Sequence, residues 1–217
     1  PRWVDFSSVY GVSPEEALLR HLRFSTGEAR THLALAGHRG CGKSTALLRL
    51  VRRAEEEGYL ALYLVTNEEI HPYEVEYPDL LLLISKALES RLREMGLELD
   101  KNLQESIANW YKDVTEWSEQ MVERSLGIRA EAGVGAELPF FARLMVGLTS
   151  LFRTESKERR EVREKIRNYP KALIENTNLL LDDALGKVKR PGRRAILFVF
   201  DNIDRYPPGT IDSLLIG

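Results

Sequence analysis

Three short runs rich in apolar residues and typical of strands lie along the chain, and in much of the remainder apolar residues recur every three or four positions. The runs lie at 31–36, 59–65 and 194–201. Each run predicts a buried strand, whereas the spaced residues predict amphipathic helices. Strands that alternate with helices in this way are typical of a parallel sheet covered by helices. The pattern therefore predicts an α/β fold.

Helix signals surround the first two runs. Ser13 precedes Pro14 and two acids, which is the pattern of a helix start. The apolar face of this helix is expected to comprise Ala17, Leu18, Leu22 and Phe24. A second helix is predicted over 45–54, between the first two runs. Two strands joined by a helix make a parallel unit.

A long segment, 77–190, separates the second run from the third and is predicted to be mainly helical. A plain crossover between parallel strands needs only about a dozen residues, so this segment is an insertion. Helices are expected over 79–95 and 173–188. Another long helix carries a heptad-like seam, comprising Leu103, Ile107, Trp110, Val114, Trp117 and Met121. We interpret the seam as packing inside the insertion; an oligomer or partner seam is the alternative.

The segment 127–152 mixes glycines with apolar residues and raises the question of a membrane span. Its apolar stretch is too short for the roughly 20 residues that a spanning helix needs. Glu137 and Arg143 also interrupt it. We predict a β-hairpin near 128–150 or a buried re-entrant segment, and we do not expect membrane contact.

The segment 155–165 is densely charged, with acids and bases three and four positions apart. This spacing predicts a solvated helix whose charges pair with one another. Arg159, Arg160 and Arg163 suggest nucleic-acid contact as the alternative. The interleaved glutamates favour the self-paired surface.

Composition limits the class of protein. The 217 residues carry a net charge of -2, which gives no global attraction to nucleic acid or acidic membranes. Cys41 is the one cysteine, so a disulfide framework is excluded and a cytoplasmic location is predicted. An N-terminal signal pattern is not seen. Because the chain begins at Pro1 rather than methionine, we expect it to be trimmed or a fragment.

The candidate chemistry begins directly after the first apolar run. There the sequence fits the phosphate-binding loop pattern G-x-x-x-x-G-K-[ST], with the residues Gly37, His38, Arg39, Gly40, Cys41, Gly42, Lys43, Ser44 and Thr45. Glycines let backbone N–H groups approach a polyphosphate closely. Lys43 suits the β- and γ-phosphates, and the Ser44 hydroxyl suits Mg²⁺. The helix that follows favours an anion at its N-terminus. The loop therefore predicts binding of a nucleotide polyphosphate and Mg²⁺.

A second motif lies at the end of the third apolar run, which terminates in Asp201. The carboxyl end of a strand is where open α/β sheets bind ligands. This is the Walker B arrangement, in which Asp201 would hold Mg²⁺ through water while Ser44 holds it directly. Together the motifs predict a P-loop NTPase core in 1–76 and 191–217, interrupted by the helical insertion 77–190.

With both motifs placed, the chain resembles P-loop ATPases of the AAA and STAND group, over about residues 10–65 and 194–206. The run from Asp201 to Arg205, DNIDR, resembles the acidic Walker B signature of KAP-type bacterial ATPases. The resemblance implies Mg²⁺-dependent ATP hydrolysis coupled to conformational change or assembly, with roles in regulation or phage defence. It places Gly37, Gly42, Lys43, Ser44 and Thr45 on the phosphate loop, and Asp201 on the Mg²⁺ acid.

Asn202 departs from that family pattern, which has Glu or Asp at this position. An amide cannot accept a proton as a general base. Either Asp204 takes that catalytic role, or the chain is a nucleotide-binding switch with little turnover whose insertion binds a protein partner. A GTPase or small-molecule kinase is a third alternative, although no guanine-recognition motif is seen.

A second departure concerns the sheet. In the group that the chain resembles, the strand after Walker B lies between the Walker A and Walker B strands. The residues up to Gly217 hold no candidate for it. Since an incomplete sheet leaves backbone groups unpaired, we expect the core to continue beyond this chain or another segment to fill the gap.

Overall fold

The computed structural model describes residues 11–24, 31–69, 75–118, 121–122, 138–189 and 192–203. The N-terminal part holds the elements α1 (Pro14–Phe24), α2 (Lys43–Glu56), β1 (Leu60–Val65) and α3 (Thr66–Glu69). The remainder holds α4 (Tyr77–Glu94), α5 (Lys101–Thr115), α6 (Phe140–Phe152), α7 (Lys157–Arg167), α8 (Pro170–Lys189) and β2 (Ile196–Asp201).

In the described part of the chain, the sheet consists of β1 and β2, which pair in parallel. The register sets Leu60 opposite Ile196 and Val65 opposite Asp201. Two of the three predicted strands are therefore confirmed, together with their parallel arrangement. The register brings Asp201 to the carboxyl end of the sheet, beside the end of β1.

The strand predicted over 31–36 is wrong, because this segment is irregular and largely exposed. Leu33, for example, is 40% exposed. A strand needs a neighbouring backbone with which to exchange hydrogen bonds. In the described residues the sheet consists of β1 and β2, and neither strand pairs with 31–36.

Helix α1 begins at Pro14, as its start signals predict, and packs on α2. Its predicted apolar face is wrong in part, since Ala17 and Phe24 are exposed. The buried stripe is instead Glu15, Leu19 and Leu22, at spacings of four and three. Glu15 forms an ion pair with Arg49 of α2, at 2.9 Å between Oε1 and Nε. A pattern of apolar residues alone could not reveal a stripe that contains a buried acid.

Helix α4 forms the centre of the insertion. It confirms the helix predicted over 79–95, and Leu80, Leu83, Leu88 and Leu92 are buried as expected. Its core cluster also contains residues of α5, α6, α7 and α8, and extends to Leu60 and Leu62 of β1. The insertion therefore packs directly on one face of the sheet.

The β-hairpin predicted near 128–150 is not formed in its described part, where α6 is a helix. Residues 123–137 lie outside the described residues. Phe141, Leu144, Met145 and Leu148 are buried at spacings of three, one and three, which suits a helix packed on several sides. The nearby glycines obscured this period. Across the described residues, no helix is both long enough and apolar enough to cross a bilayer.

The seam of α5 packs inside the insertion, as we interpreted it. Ile107 is buried, and Leu103, Trp110 and Val114 pack against the same core. The helix is shorter than predicted and ends at Thr115, followed by Glu116 with φ 57°. Beyond this turn, Trp117 is still buried. The inward members of the seam are thus used within the chain.

Helix α7 confirms the charged helix predicted within 155–165 and its pairing of Lys157 with Glu161, but it is solvated only in part. Arg159 and Arg163 are buried, and Arg163 binds Asp79 of α4 through two side-chain hydrogen bonds. Interleaved charges look alike in sequence whether they face water or a buried partner. The two buried arginines face the interior of the insertion.

Replacing Leu148 with alanine tests the hydrophobic core of the insertion. Leu148 is fully buried in α6, so we expect Leu148→Ala to lower the free energy of unfolding by about 2–5 kcal/mol, through lost transfer energy and the cavity left behind. Leu179→Ala is the matched control, because Leu179 on α8 is half exposed and should change stability by less than about 0.5 kcal/mol. Urea denaturation measures both. Equal losses would contradict the described burial.

Candidate functional site

The phosphate-loop residues 37–45 lie in an exposed turn that leads into α2. The turn closes where the Cys41 N–H donates to the carbonyl of His38, at 3.2 Å. Gly40 and Gly42 have φ 85° and 90°, in the left-handed region that other residues adopt only with strain. Gly42 caps α2, and no side chain caps the helix start. The first amides of α2 are therefore available to an anion.

Gly37 lies beside Cys41, so a side chain at position 37 would require the Cys41 side chain to move. A Cβ at this position would lie 2.8 Å from the Cys41 sulfur, closer than packed atoms allow. The loop thus folds back on itself between these two residues. Cys41, an exposed free thiol, contributes to the shape of the loop.

Lys43 joins the two ends of the loop. Its Nζ donates to the carbonyl oxygens of Gly37, at 2.8 Å, and His38, at 3.1 Å. These contacts hold the ammonium group over the exposed turn. His38 and Arg39 lie in the same exposed stretch. The loop therefore presents a fixed positive charge beside the helix N-terminus, which is the arrangement that binds phosphate.

Asp201 lies at the end of β2 and is held by several donors. The Tyr63 hydroxyl donates to Oδ2 at 2.5 Å, and the Asn202 N–H donates to Oδ1 at 2.8 Å. The Ser44 side chain also lies close enough to the carboxylate to act on its pKa. Thr66 donates to the Asp201 backbone carbonyl at 2.7 Å. The structure thus brings together Ser44 and Asp201, the two predicted magnesium ligands.

The electrostatics keep Asp201 ionised at neutral pH. Burial alone would raise the pKa of its carboxyl, but the hydrogen bonds from Tyr63, Ser44 and the Asn202 N–H, with the charge of Lys43, hold this pKa below its usual value. The same contact acts oppositely on the phenol: burial, and then the Asp201 carboxylate, raise the pKa of Tyr63. The tyrosine is therefore a proton donor to a charged carboxylate.

These residues fit a magnesium ion that is shared with a nucleotide. Groups of three or more His, Cys, Asp or Glu side chains that could hold a metal are not found among the described residues. Magnesium at a phosphate site does not need such a group, because one or two protein oxygens suffice beside phosphate oxygens and water. The Ser44 hydroxyl and the nearby ionised Asp201 would supply those two oxygens.

Only some of the remaining predicted site residues lie in the described part of the chain. Thr45 lies exposed in the first turn of α2, next to Ser44. Asp204 and Arg205 lie outside the described residues. Asn202 has φ 62°, a left-handed conformation that asparagine tolerates better than most residues.

Sequence reasoning missed Tyr63 and Thr66, which both bond to Asp201. The available signal was their position at or just past the carboxyl end of β1. Parallel neighbours end at the same edge of a sheet. Polar residues at that end are therefore candidates for the same site.

The conformation of the loop can be tested at Gly42. We expect Gly42→Ala to lower the free energy of unfolding by about 1–2 kcal/mol, because a side chain is strained at its positive φ. Gly186→Ala is the matched control. Gly186 lies inside α8 with open space around it, so alanine should stabilise by roughly 0.5–1 kcal/mol. Thermal melting of both variants measures the difference. A stabilised Gly42→Ala would contradict the described loop.

Comparison of the chain with protein-family models, curated proteins and solved structures gives no match.

Proposed function

We propose that this chain is the nucleotide-binding part of a Mg²⁺-dependent ATPase with a P-loop NTPase core. The observation that carries the proposal is the contact between Ser44, which follows the glycine loop, and Asp201, which ends β2. The two side chains are far apart in sequence but lie near each other, and the charge of Lys43 acts on Asp201. This is the combination of hydroxyl, acid and cation that phosphoryl transfer from ATP uses.

Each residue then has a defined task. The amides at the start of α2 and the Lys43 ammonium bind the phosphates, while Ser44 and Asp201 hold the metal. When bound, Mg²⁺ would supply positive charge that offsets the negative charge of the phosphates. Catalysis comes mainly from positioning and charge stabilisation. In this proposal Asp204 is the group that orients or deprotonates the attacking water.

A nucleotide-binding switch with little turnover is the second candidate, and Asn202 favours it. The residue directly after Asp201 offers an amide side chain, which cannot act as a general base. Its backbone N–H is directed at Asp201. In this version, the helical insertion transmits the nucleotide state to a protein partner or to a second copy of the chain.

An acid at position 202 distinguishes the two candidates. If the wild-type site is a slow switch, Asn202→Glu should raise the rate of ATP hydrolysis at least tenfold, since a positioned general base typically contributes about 10²–10⁴-fold. Asn202→Gln is the matched control, with the same length and no carboxylate, and should give no gain. Phosphate release under single-turnover conditions measures the rate. No gain with Asn202→Glu counts against the switch.

The resemblance to AAA and STAND ATPases extends the proposal to its biological setting. In this proposal the protein acts in bacterial regulation or in defence against phage, and its single cysteine favours a cytoplasmic location. ATP analogues added to the wild-type protein test the assembly part of this proposal, because coupling to self-association predicts a nucleotide-dependent mass in light scattering. An unchanged mass with bound nucleotide would count against self-association.

A further inference from the structure

We propose that Tyr63 is a positioning residue of the magnesium site, acting through the Asp201 carboxylate. This inference rests on the proposed function, because it assigns a role to a residue outside both nucleotide motifs. Tyr63 belongs to β1, and the motifs belong to the loop before α2 and to β2. Its role follows from how the sheet brings these strands together.

The sheet register explains how Tyr63 reaches the acid. Tyr63 lies opposite Val199, and Val65 lies opposite Asp201. Residues two apart on a strand point to the same face of the sheet. A long side chain at position 63 can therefore extend along that face toward the end of β2. Its hydroxyl meets Oδ2 of Asp201 at 2.5 Å, the distance of a strong hydrogen bond between a hydroxyl and a carboxylate.

Two fixed donors hold the carboxylate from different sides. The Asn202 N–H binds Oδ1 and the Tyr63 hydroxyl binds Oδ2. Thr66 at the end of β1 fixes the backbone of Asp201 through its carbonyl. The carboxylate is thus restrained at both oxygens before a metal arrives, which lowers the entropic cost of binding one.

Ser44, the second predicted ligand, lies beside the Asp201 carboxylate. A hydroxyl that donates its proton to Asp201 keeps both lone pairs for a cation. Partners outside the metal's own ligands commonly set ligand orientation in this way, and their loss typically costs about 10–100-fold in metal affinity. Tyr63 therefore acts on the metal through Asp201, a predicted ligand.

Tyr59 shows what a merely structural tyrosine looks like in the same protein. It is buried just before β1, and its hydroxyl donates to the backbone carbonyl of Leu22 at 3.1 Å. That bond satisfies a buried hydroxyl and joins α1 to the sheet. The Tyr63 hydroxyl instead donates to Asp201, the acid of the site. Tyr59→Phe is therefore a matched control for Tyr63→Phe.

The test measures ATP affinity by calorimetry, once with excess Mg²⁺ and once with EDTA, and Mg²⁺ affinity by titrating the metal into the ATP-loaded protein. For Tyr63→Phe we expect Mg²⁺ to bind about 10–100-fold more weakly, with ATP affinity in EDTA within about twofold of wild type. The EDTA value is a control for folding and for the loop, since it depends on Lys43 and the amides. Tyr59→Phe should leave the affinity for Mg²⁺ unchanged.

Two results would overturn the inference while leaving the proposed function intact. One is wild-type Mg²⁺ affinity in Tyr63→Phe; the other is an equal loss with Mg²⁺ and with EDTA, which would mean that the hydroxyl shapes the loop instead. If the wild-type chain binds no ATP under either condition, the proposed function fails and the role of Tyr63 fails with it. Thermal melting of both tyrosine variants without nucleotide identifies a general loss of stability. If a variant is destabilised, wild-type-like Mg²⁺ affinity in the fraction that stays folded still overturns the inference.

Discussion

Replacing Arg163 with methionine is expected to lower the free energy of unfolding by about 3–5 kcal/mol, because it leaves a buried carboxylate without its partner. Arg163 and Asp79 are almost fully buried. The Arg163 Nε donates to Oδ1 of Asp79 at 3.1 Å, and a terminal nitrogen donates to Oδ2 at 2.9 Å. Methionine fills much of the same volume without donating a hydrogen bond. Chemical denaturation measures the loss.

Arg167→Met is the matched control, on the same helix one turn later. Arg167 is half exposed and pairs with Glu76 at 3.5 Å. An exposed pair contributes about 0–1 kcal/mol, so this variant should lose little. The double variant Arg163→Met, Asp79→Leu removes both charges and should recover much of the loss. Equal stability of the wild type and Arg163→Met would contradict the buried pair.

The loss of stability in Arg163→Met should also depend on pH, in a direction that the pKa of Asp79 determines. Burial raises the pKa of Asp79 to about 6, although Arg163 and the Glu76 N–H act to lower it. Without Arg163 this pKa rises further. Because folding raises this pKa, the protonated Asp79 carboxyl favours the folded state. That contribution is fully present below about pH 4, the ordinary pKa of aspartate, and is lost as the pH rises through about 6. The difference in free energy of unfolding between the wild type and Arg163→Met should therefore be largest near pH 7 and should decrease as the pH falls below about 6.

The Lys43→Ala variant is expected to weaken ATP binding roughly 10- to 150-fold, since hydrogen bonds to charged groups contribute about 1.5–3 kcal/mol. Loss of its charge from the transition state should lower turnover by about 10²–10³-fold as well. In the structure the ammonium makes two hydrogen bonds to loop carbonyls, of Gly37 and His38. The nucleotide would add phosphate oxygens to this environment.

Lys171→Ala is the control for Lys43→Ala. Lys171 lies on α8 and is largely exposed, paired only loosely with Glu175 at 3.8 Å, so its removal should leave ATP binding unchanged. Equal weakening by both variants would mean that the nucleotide responds to net charge rather than to the loop.

Local patterns in the sequence predicted much of this structure. The start of α1 followed from Ser13 and Pro14. The continuous apolar runs gave β1 and β2, and glycine spacing located the turn that leads into α2. Such features depend on residues close in sequence, whose preferences act within one or two turns of chain.

What sequence reasoning missed depends on distant partners. The contact between Tyr63 and Asp201 joins residues 138 positions apart, through a register that no single-sequence pattern encodes. The burial of Arg163 depends on Asp79 in another helix. The segment 31–36 has the composition of a strand but has no strand beside it in the described residues. Burial, pairing and register are properties of the assembled core, so a linear pattern underdetermines them.

Titration of ATP into the wild-type chain and into Lys43→Ala, with and without Mg²⁺, tests the central claim most directly. The account predicts saturable binding that is strengthened by Mg²⁺ and weakened at least tenfold by Lys43→Ala. Turnover beside such binding would identify an ATPase, and binding without turnover would identify a switch. If ATP affinity is the same in both proteins and insensitive to Mg²⁺, Ser44, Lys43 and Asp201 do not form a nucleotide site.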